Sequence, residues 1–520
     1  MDILWGVAEF ISSYYNRHSQ LDYIRHMSQV CHNWRQIILR SPSIWGNMIN
    51  INALAQSSEE WRKQVMLRTG SAELTVYGTI YSNKTVSRFL QTLLDQYWSR
   101  ISIFRVSIWQ PNELAEDVWH ILWTSTAPSL RTFVLHIYSN SYDLHLPPMP
   151  MLSQGSPLFS NTAPLLRMFI CPKIHFDLRD NWVSQLSVMH LPQKCTVQSA
   201  LNILRGCPRV QYLTYQPNPD LSHNLGGNMP DLKSTNLLHL RQLTISGTFD
   251  QCVGLVTHIN PGTSSLLTMW LDSEERMEQD ISYVNMNNLA KILAPYTRSA
   301  LLENGKKYLK LNLSPDFPFT SLAVHLRTRH WRKKGRAIAL LDFGRISSYP
   351  LMISIFKLLL DVLSSCNLAS VSAFELHLGV DELPNDVYKT LEHILSSLTS
   401  LQRLYITGAG LRIIENLPPN RVLSLASLER VTLRYTEHID QSFEELCEST
   451  LSILRRAKQE AIFPVVLDIT DILHNVRCLM DWRPLDEIDG LKVVCHKPGY
   501  QEYICGSGRP EKLLVKVKHW

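Results

Sequence analysis

The sequence predicts an α/β chain: a short three-helix unit at the N-terminus, then an irregular leucine-rich-repeat solenoid. Three observations predict it. Within residues 1–50 apolar positions recur three and four apart, the spacing of one helix face. From residue 128 onward an apolar helical stretch is followed repeatedly by Pro or Ser and then an LxxLxL phrase. Hydrophobic residues make up 45% of the 520 and charged residues 19%, with a net charge of +5. That composition supports a large buried core and excludes a polybasic or acidic tail as the dominant feature. By length alone the chain holds roughly three domains or one elongated array.

The first unit is assigned to residues 1–50. Ile3, Leu4, Val7, Phe10 and Ile11 form one apolar stripe, and Asn16 to Gln20 is a polar break. A second helix carries Leu21, Ile24, Met27, Val30 and Cys31 on one side, with Asp22 near its positive end. Trp34, Ile37 and Ile38 continue the pattern until Ser41-Pro42 stops it, because a residue before proline avoids the α region. Ile44-Trp45 closes the unit. Fifty helical residues bury little alone. The unit is therefore either a partner-binding module or a helical cap on the rest of the chain.

Two phrases in this region carry a resemblance. Val30-Cys31-His32-Asn33-Trp34-Arg35-Gln36-Ile37-Ile38 followed by Ser41-Pro42-Ser43-Ile44-Trp45 resembles the second half of an F-box. Ile3-Leu4 with Phe10-Ile11 is similar to the helix that precedes it in that family. Trp61 and the run Leu67-Arg68-Thr69-Gly70-Ser71-Ala72-Glu73-Leu74-Thr75-Val76 are similar to the segment after the F-box in fungal members. The family's Leu-Pro opening is not found ahead of Ile3. The resemblance implies contact with a Skp-type adaptor, and through it a cullin, at Ile3, Leu4, Val7, Phe10, Ile11, Val30, Cys31, Trp34, Pro42, Ile44 and Trp45.

Residues 51–95 read as a linker or first repeat, 96–485 as the solenoid and 486–520 as a C-terminal segment. Strand phrases begin at Leu130, Leu165, Val210, Leu240 and Leu266, and again at Val371, Leu401 and Leu428. The tightest intervals are 26, 27 and 30 residues, and the loosest are 35 and 45. Leucine-rich repeats run at roughly 20–29, so the long intervals require insertions. Val387–Leu398 and Ala200–Leu204 read as intervening helices, Asn288–Leu293 as another, and Ala337–Phe343 as a strand. In a repeat stack each unit covers its neighbour's apolar face. The alternative is an ordinary α/β domain with a parallel sheet, since βαβ patterning is locally identical. Residues 143–163 and 216–236 are rich in Pro, Ser or Gly and read as surface loops. Trp98, Trp109, Trp119, Trp123, Trp182 and Trp270 fall mostly at apolar-periodic positions and are assigned to the core. Alternation of Val515 and Val517 with lysines predicts a short edge strand near Trp520.

Signatures of chemistry are few. The sequence has no HExxH, GxSxG, Walker loop or GxGxxG, so no catalytic residue and no cofactor is expected. His474 and Cys478 share a helix spacing but lack two further ligands, and they read as packing residues with no metal. The ten cysteines include no close CxxC pair, which argues against a disulfide framework, and Cys495 and Cys505 are not expected to bridge. No secretory signal and no apolar run near the ~20 residues of a membrane span is found. A cytoplasmic or nuclear location follows, with the sequons at Asn83 and Asn312 unused.

The one charge anomaly is His325, Arg327, Arg329, His330, Arg332, Lys333, Lys334 and Arg336 around Trp331. Arg327, Arg329, Arg332, Lys333 and Lys334 are candidates for contact with an acidic partner, the alternative being a solvated face. Together these readings imply the substrate-recognition subunit of an SCF-type ubiquitin ligase, acting in ubiquitin-dependent degradation. Its N-terminal helices hold the adaptor and its repeats hold a target protein, with no membrane or nucleic-acid partner. The alternative is a leucine-rich-repeat scaffold with no ubiquitin link.

Overall fold

The computed structural model describes residues 20–516 except 82–83, 110–115, 139–157, 174–179, 218–231, 262–264, 272–282, 303–306, 315–320, 329–336, 343–348, 381, 417–424, 436–441, 461–464, 476–478 and 497–500. The chain divides into two compact units. The first holds residues up to 240 with 258–261, and the second holds 241–257 and the remainder.

The first unit opens with α1 (Gln20–Val30), α2 (His32–Leu39) and α3 (Pro42–Gly46). Cys31 separates α1 from α2 with fully extended backbone. Ser41 is also non-helical, as a residue before proline must be, and Pro42 starts α3 where a missing N–H costs nothing. The helix expected over Ile3–Ile11 lies outside the described residues. After β1 (Ile49–Asn50), α4 (Ile51–Gln56) is capped by the Asn50 side chain, which accepts from the amides of Asn52 and Ala53. In α5 (Glu59–Arg68) Ser58 accepts from the amide of Trp61, and Glu59 and Glu60 sit in the positive first turn.

The strands that follow are β2 (Leu74–Ile80), β3 (Ile101–Trp109), β4 (Thr132–Tyr138), β5 (Met168–Ile170), β6 (Val188–His190) and β7 (Tyr212–Tyr215). With β1 they pair in chain order, all in parallel. Connections carry α6 (Lys84–Tyr97), α7 (Glu116–Thr124) and α8 (Val197–Arg205). α6 buries Val86, Leu90, Leu93 and Leu94, one helix face by spacing. Register aligns Val76, Phe104, Phe133, Phe169, Met189 and Leu213 in one buried row. The rings of Phe104 and Phe133 stack at 5.4 Å, and those of Phe133 and Phe169 at 5.6 Å. Gly78 has φ +151, and a Cβ there would meet Ile51 at 2.4 Å. The absent side chain lets α4 dock on β2, where Asn52 accepts from the Thr79 amide at 2.7 Å.

β8 (Thr235–Leu237) follows. The chain then enters the second unit for β9 (Gln242–Gly247) and α9 (Phe249–Thr257), and returns for β10 (Ile259–Pro261), which pairs with β8 in parallel.

The second unit continues with β11 (Leu266–Leu271), α10 (Tyr283–Leu302), β12 (Lys307–Ser314), β13 (Ser321–Thr328), β14 (Ala337–Asp342) and α11 (Tyr349–Ser364). Next come β15 (Val371–Leu378), α12 (Asn385–Ser397), β16 (Arg403–Thr407), α13 (Gly408–Glu415), β17 (Arg430–Arg434), α14 (Phe443–Glu460), β18 (Val466–Asp468) and α15 (Thr470–Asn475). β19 (Leu479–Asp481), β20 (Lys492–Cys495), β21 (Gln501–Ile504) and β22 (Leu514–Lys516) end the chain. The sheet order is β9, β11, β14, β13, β12, β15, β16, β17, β18, β20, β21. β13 is antiparallel to both neighbours, β21 is antiparallel to β20, and all other pairs are parallel. β19 and β22 form a separate antiparallel ribbon, so the edge strand expected near Val515 is real but paired.

This architecture corrects the expected leucine-rich-repeat solenoid. In a repeat stack each unit touches only its chain neighbours. Here β11 skips two strands to pair with β14, and β12 reaches past an antiparallel insertion to pair with β15. The fold is α/β with a large, mainly parallel sheet, the alternative that local patterning left open. Helix and strand assignments survive the correction. Asn288–Leu293 lies in α10, Val387–Leu398 in α12, and Ala337–Phe343 at β14. Trp98, Trp119, Trp123 and Trp182 are buried, whereas Trp109 and Trp270 are exposed, contrary to their assignment to the core.

Candidate functional site

At the N-terminal helices the sequence-predicted contact residues separate into two groups. Val30, the last residue of α1, is 64% exposed, and Cys31 and Pro42 are exposed while Trp34 is half-buried. Ile44 and Trp45 are buried, at 5% and 2% exposure, and leave almost no side-chain surface for a partner. The Trp45 indole N–H donates to the Ile38 carbonyl at 2.8 Å. Its ring meets Trp61 edge-on at 6.3 Å and lies 4.8 Å beneath the Arg68 guanidinium. Periodicity marks both residues as apolar, but only packing shows that Trp45 fixes α3 to α5. The turn after α5 is clamped in the same way. Arg100 donates to the carbonyls of Thr69 and Ala72 and to the Thr69 hydroxyl at 2.8–3.3 Å. Ile3, Leu4, Val7, Phe10 and Ile11 lie outside the described residues.

The basic cluster is only partly placed. Arg327 stands in β13, in register with Tyr308 of β12 and Ala337 of β14. Arg329, Arg332, Lys333 and Lys334 lie outside the described residues.

A second candidate was not anticipated. On the second unit's sheet, Leu309, Phe374, Leu404, Val431, Leu467 and Val493 form a buried row. The positions beside them project to the opposite face, because side chains alternate along a strand. There Glu375 accepts from the Tyr308 hydroxyl and from Lys310 Nζ at 2.8 Å. Burial opposes ionisation of Glu375, yet Lys310, Tyr308 and Arg434 outweigh it and hold the carboxyl below its ordinary value. Burial and the same carboxylate push the Tyr308 phenol up. Arg430 pairs with Asp468 at 3.0 Å, and Arg434 lies 5.4 Å over the Tyr405 ring and 3.9 Å from Asp471.

Near the start of these strands is a cavity of about 30 Å³ bounded by Lys307, Tyr308, Ser372, Ala373, Arg403 and Tyr405. Sequence alone carried half of its signal. Tyr308-Leu309-Lys310-Leu311 and Arg403-Leu404-Tyr405-Ile406 alternate polar with apolar, so both segments promise a polar face. Strand register, which sequence does not give, brings those faces together.

Elsewhere, burial and the neighbouring His136 lower the pKa of His190 to about 4, and burial lowers that of His136 too. Burial pushes the thiols of Cys195, Cys207 and Cys505 up to about 12 and that of Cys447 to about 11, with nearby acidic groups adding to the shift at Cys505 and Cys447. None of these four is therefore a thiolate at neutral pH. Cys495 and Cys505 are not bridged by a disulfide, and Cys478 lies outside the described residues. Among the described residues there is no cluster of three metal-ligating side chains and no helix long and apolar enough to cross a membrane. No protein-family model and no curated protein sequence matches this chain.

Proposed function

We propose that the chain is the substrate-recognition subunit of an SCF-type ubiquitin ligase. Its N-terminal helices hold a Skp-type adaptor, and through it a cullin, while the α/β body holds a target protein. Ubiquitin transfer then belongs to other subunits, and this chain supplies proximity and orientation. The observation that carries the reading is the Val30–Cys31 corner. These apolar residues stay exposed in the stretch that resembles an F-box, next to α2, whose Ile38 carbonyl accepts from the buried Trp45 indole. The burial of Ile44 and Trp45 favours a second reading, in which the same helices cap a protein-binding scaffold with no ubiquitin link.

Co-purification with a Skp-type adaptor separates the two. The adaptor reading expects the full chain to retain the adaptor and Val30→Asp to weaken retention at least ~10-fold, since a charge is forced into an apolar contact. A folded wild-type chain that retains no adaptor hands the lead to the scaffold.

A further inference from the structure

The cavity beneath Tyr308 and Tyr405 has an unbalanced lining. Arg403 is a cationic wall of it, and no acidic side chain bounds it. The nearby carboxylate does not compensate, because both oxygens of Glu375 are already engaged by Tyr308 and Lys310. Arg430 and Arg434 have their acidic partners in Asp468 and Asp471. Arg403 differs from them. It stands in register between Ala373 and Arg430, and among the described residues its guanidinium has no ion pair and no hydrogen bond. An Arg fork held in a half-buried wall without a carboxylate is a ready receptor for one.

We infer that this cavity receives a single carboxylate side chain from an extended acidic segment of a protein target, with Arg403 as its charge partner. The inference rests on the reading of this chain as a recognition subunit, and it names the chemistry of what is recognised. Size selects the carboxylate. A space of about 30 Å³ admits two or three water-sized atoms, which suits two carboxylate oxygens better than a phosphate with its larger tetrahedron. Ala373, on the strand between Tyr308 and Arg403, lines the cavity with a single methyl group. The rings of Tyr308 and Tyr405, edge to face at 6.1 Å, give the methylenes of an entering glutamate an apolar surface.

The test uses the full chain without any adaptor, so its failure is distinct from a failure of the ubiquitin reading. Three fluorescein-labelled decapeptides are titrated by anisotropy, one rich in glutamate, one with glutamine in place of each glutamate, and one with phosphoserine. The glutamate peptide is expected to bind at least ~10-fold tighter than the glutamine peptide, the size of one charge-assisted pair. Arg403→Gln should remove that preference without lowering the melting temperature, since it breaks no internal bond. Ala373→Leu fills the cavity while keeping the charge and should remove the preference equally. Arg209→Gln makes the same charge change at an exposed position of the first unit and should leave binding intact. Equal binding of the glutamate and glutamine peptides overturns the site, as does wild-type affinity in Arg403→Gln. Binding of the phosphoserine peptide alone overturns the carboxylate assignment.

Discussion

The two units use the same device, parallel strands with one buried row, and fill it with different side chains. In the first unit the row is Val76, Phe104, Phe133, Phe169, Met189 and Leu213, and its three phenylalanines stack on one another. Phe159 adds an edge-on contact to Phe133 at 5.2 Å, and Trp182 lies 5.1 Å from Phe169. In the second unit the row is Leu309, Phe374, Leu404, Val431, Leu467 and Val493, almost wholly aliphatic. The opposite faces diverge as well. The first unit ends its strands in an exposed stack, with Tyr81 6.0 Å from Trp109 and Trp109 4.4 Å from Tyr138. The second carries the Glu375, Asp468 and Asp471 ion pairs. Aromatic stacking ties several strands to one register, whereas an ion pair binds two neighbours and leaves the next strand free to offer an unpaired charge. On the second unit's polar face that charge is Arg403, a wall of the candidate cavity.

The widest difference should appear in core truncations. Phe133→Ala removes a ring in contact with three others and should cost about 3–5 kcal/mol, the upper range for buried large-to-small changes. Leu404→Ala, at the equivalent place in the second unit, should cost about 2–5 kcal/mol. Urea denaturation followed separately for the two units ranks them. A smaller loss at Phe133 than at Leu404 would mean that the stacked rings add nothing beyond their burial.

Acid should separate the units by where stability starts to fall. Glu375 has a folded pKa below its ordinary 4.5. Its contribution is complete above that value and is lost as pH falls through the lower, folded value. Glu375→Gln should cost about 1–3 kcal/mol at pH 7, because Lys310 loses its charged partner, and should flatten the decline below pH 4.5. His190 acts in a higher window. Its folded pKa is about 4 against an ordinary 6.5, so the unfolded chain takes up the proton first and stability drops as pH falls from about 6.5 to about 4. His190→Gln should reduce that slope in the first unit to the part that His136 supplies, and leave the second unchanged. Identical pH profiles for the two units would sink the distinction.

How far the sequence foretold this follows from which contacts are local. The strand over Val371–Leu378 and the helix at α12 rest on alternation and on a 3.6-residue stripe, both readable within a dozen residues. In the order β11, β14, β13, β12, β15, the β11–β14 and β12–β15 pairings join segments separated by whole helices, and nothing in the LxxLxL phrase records them. At the N-terminus the apolar character of Ile44 and Trp45 was plain, but apolar residues serve a core and a partner surface equally well. Only the Trp45 bond to Ile38 and the Arg68 and Trp61 contacts distinguish the two. Lys307 and Arg403 each looked like an ordinary strand residue until register made them walls of one cavity.

The smallest effect is expected where the first unit does use an ion pair. Arg131 reaches Glu73 at 3.0 Å, but the two side chains are 57% and 51% exposed. Water solvates both charges after the pair is broken, and holding two long side chains together costs rotamer entropy, so the gains and losses nearly cancel. Arg131→Gln should therefore shift stability by less than ~0.5 kcal/mol, and wild type and variant should become indistinguishable in 1 M salt, where screening acts within about 3 Å. The contrast with Glu375→Gln is the informative part. Both substitutions remove one charge from one pair beside a parallel strand, and they differ in burial. If Arg131→Gln proved as costly as Glu375→Gln, burial would not be what gives the second unit's polar face its energetic weight, and the acid response assigned to Glu375 would lose its physical basis.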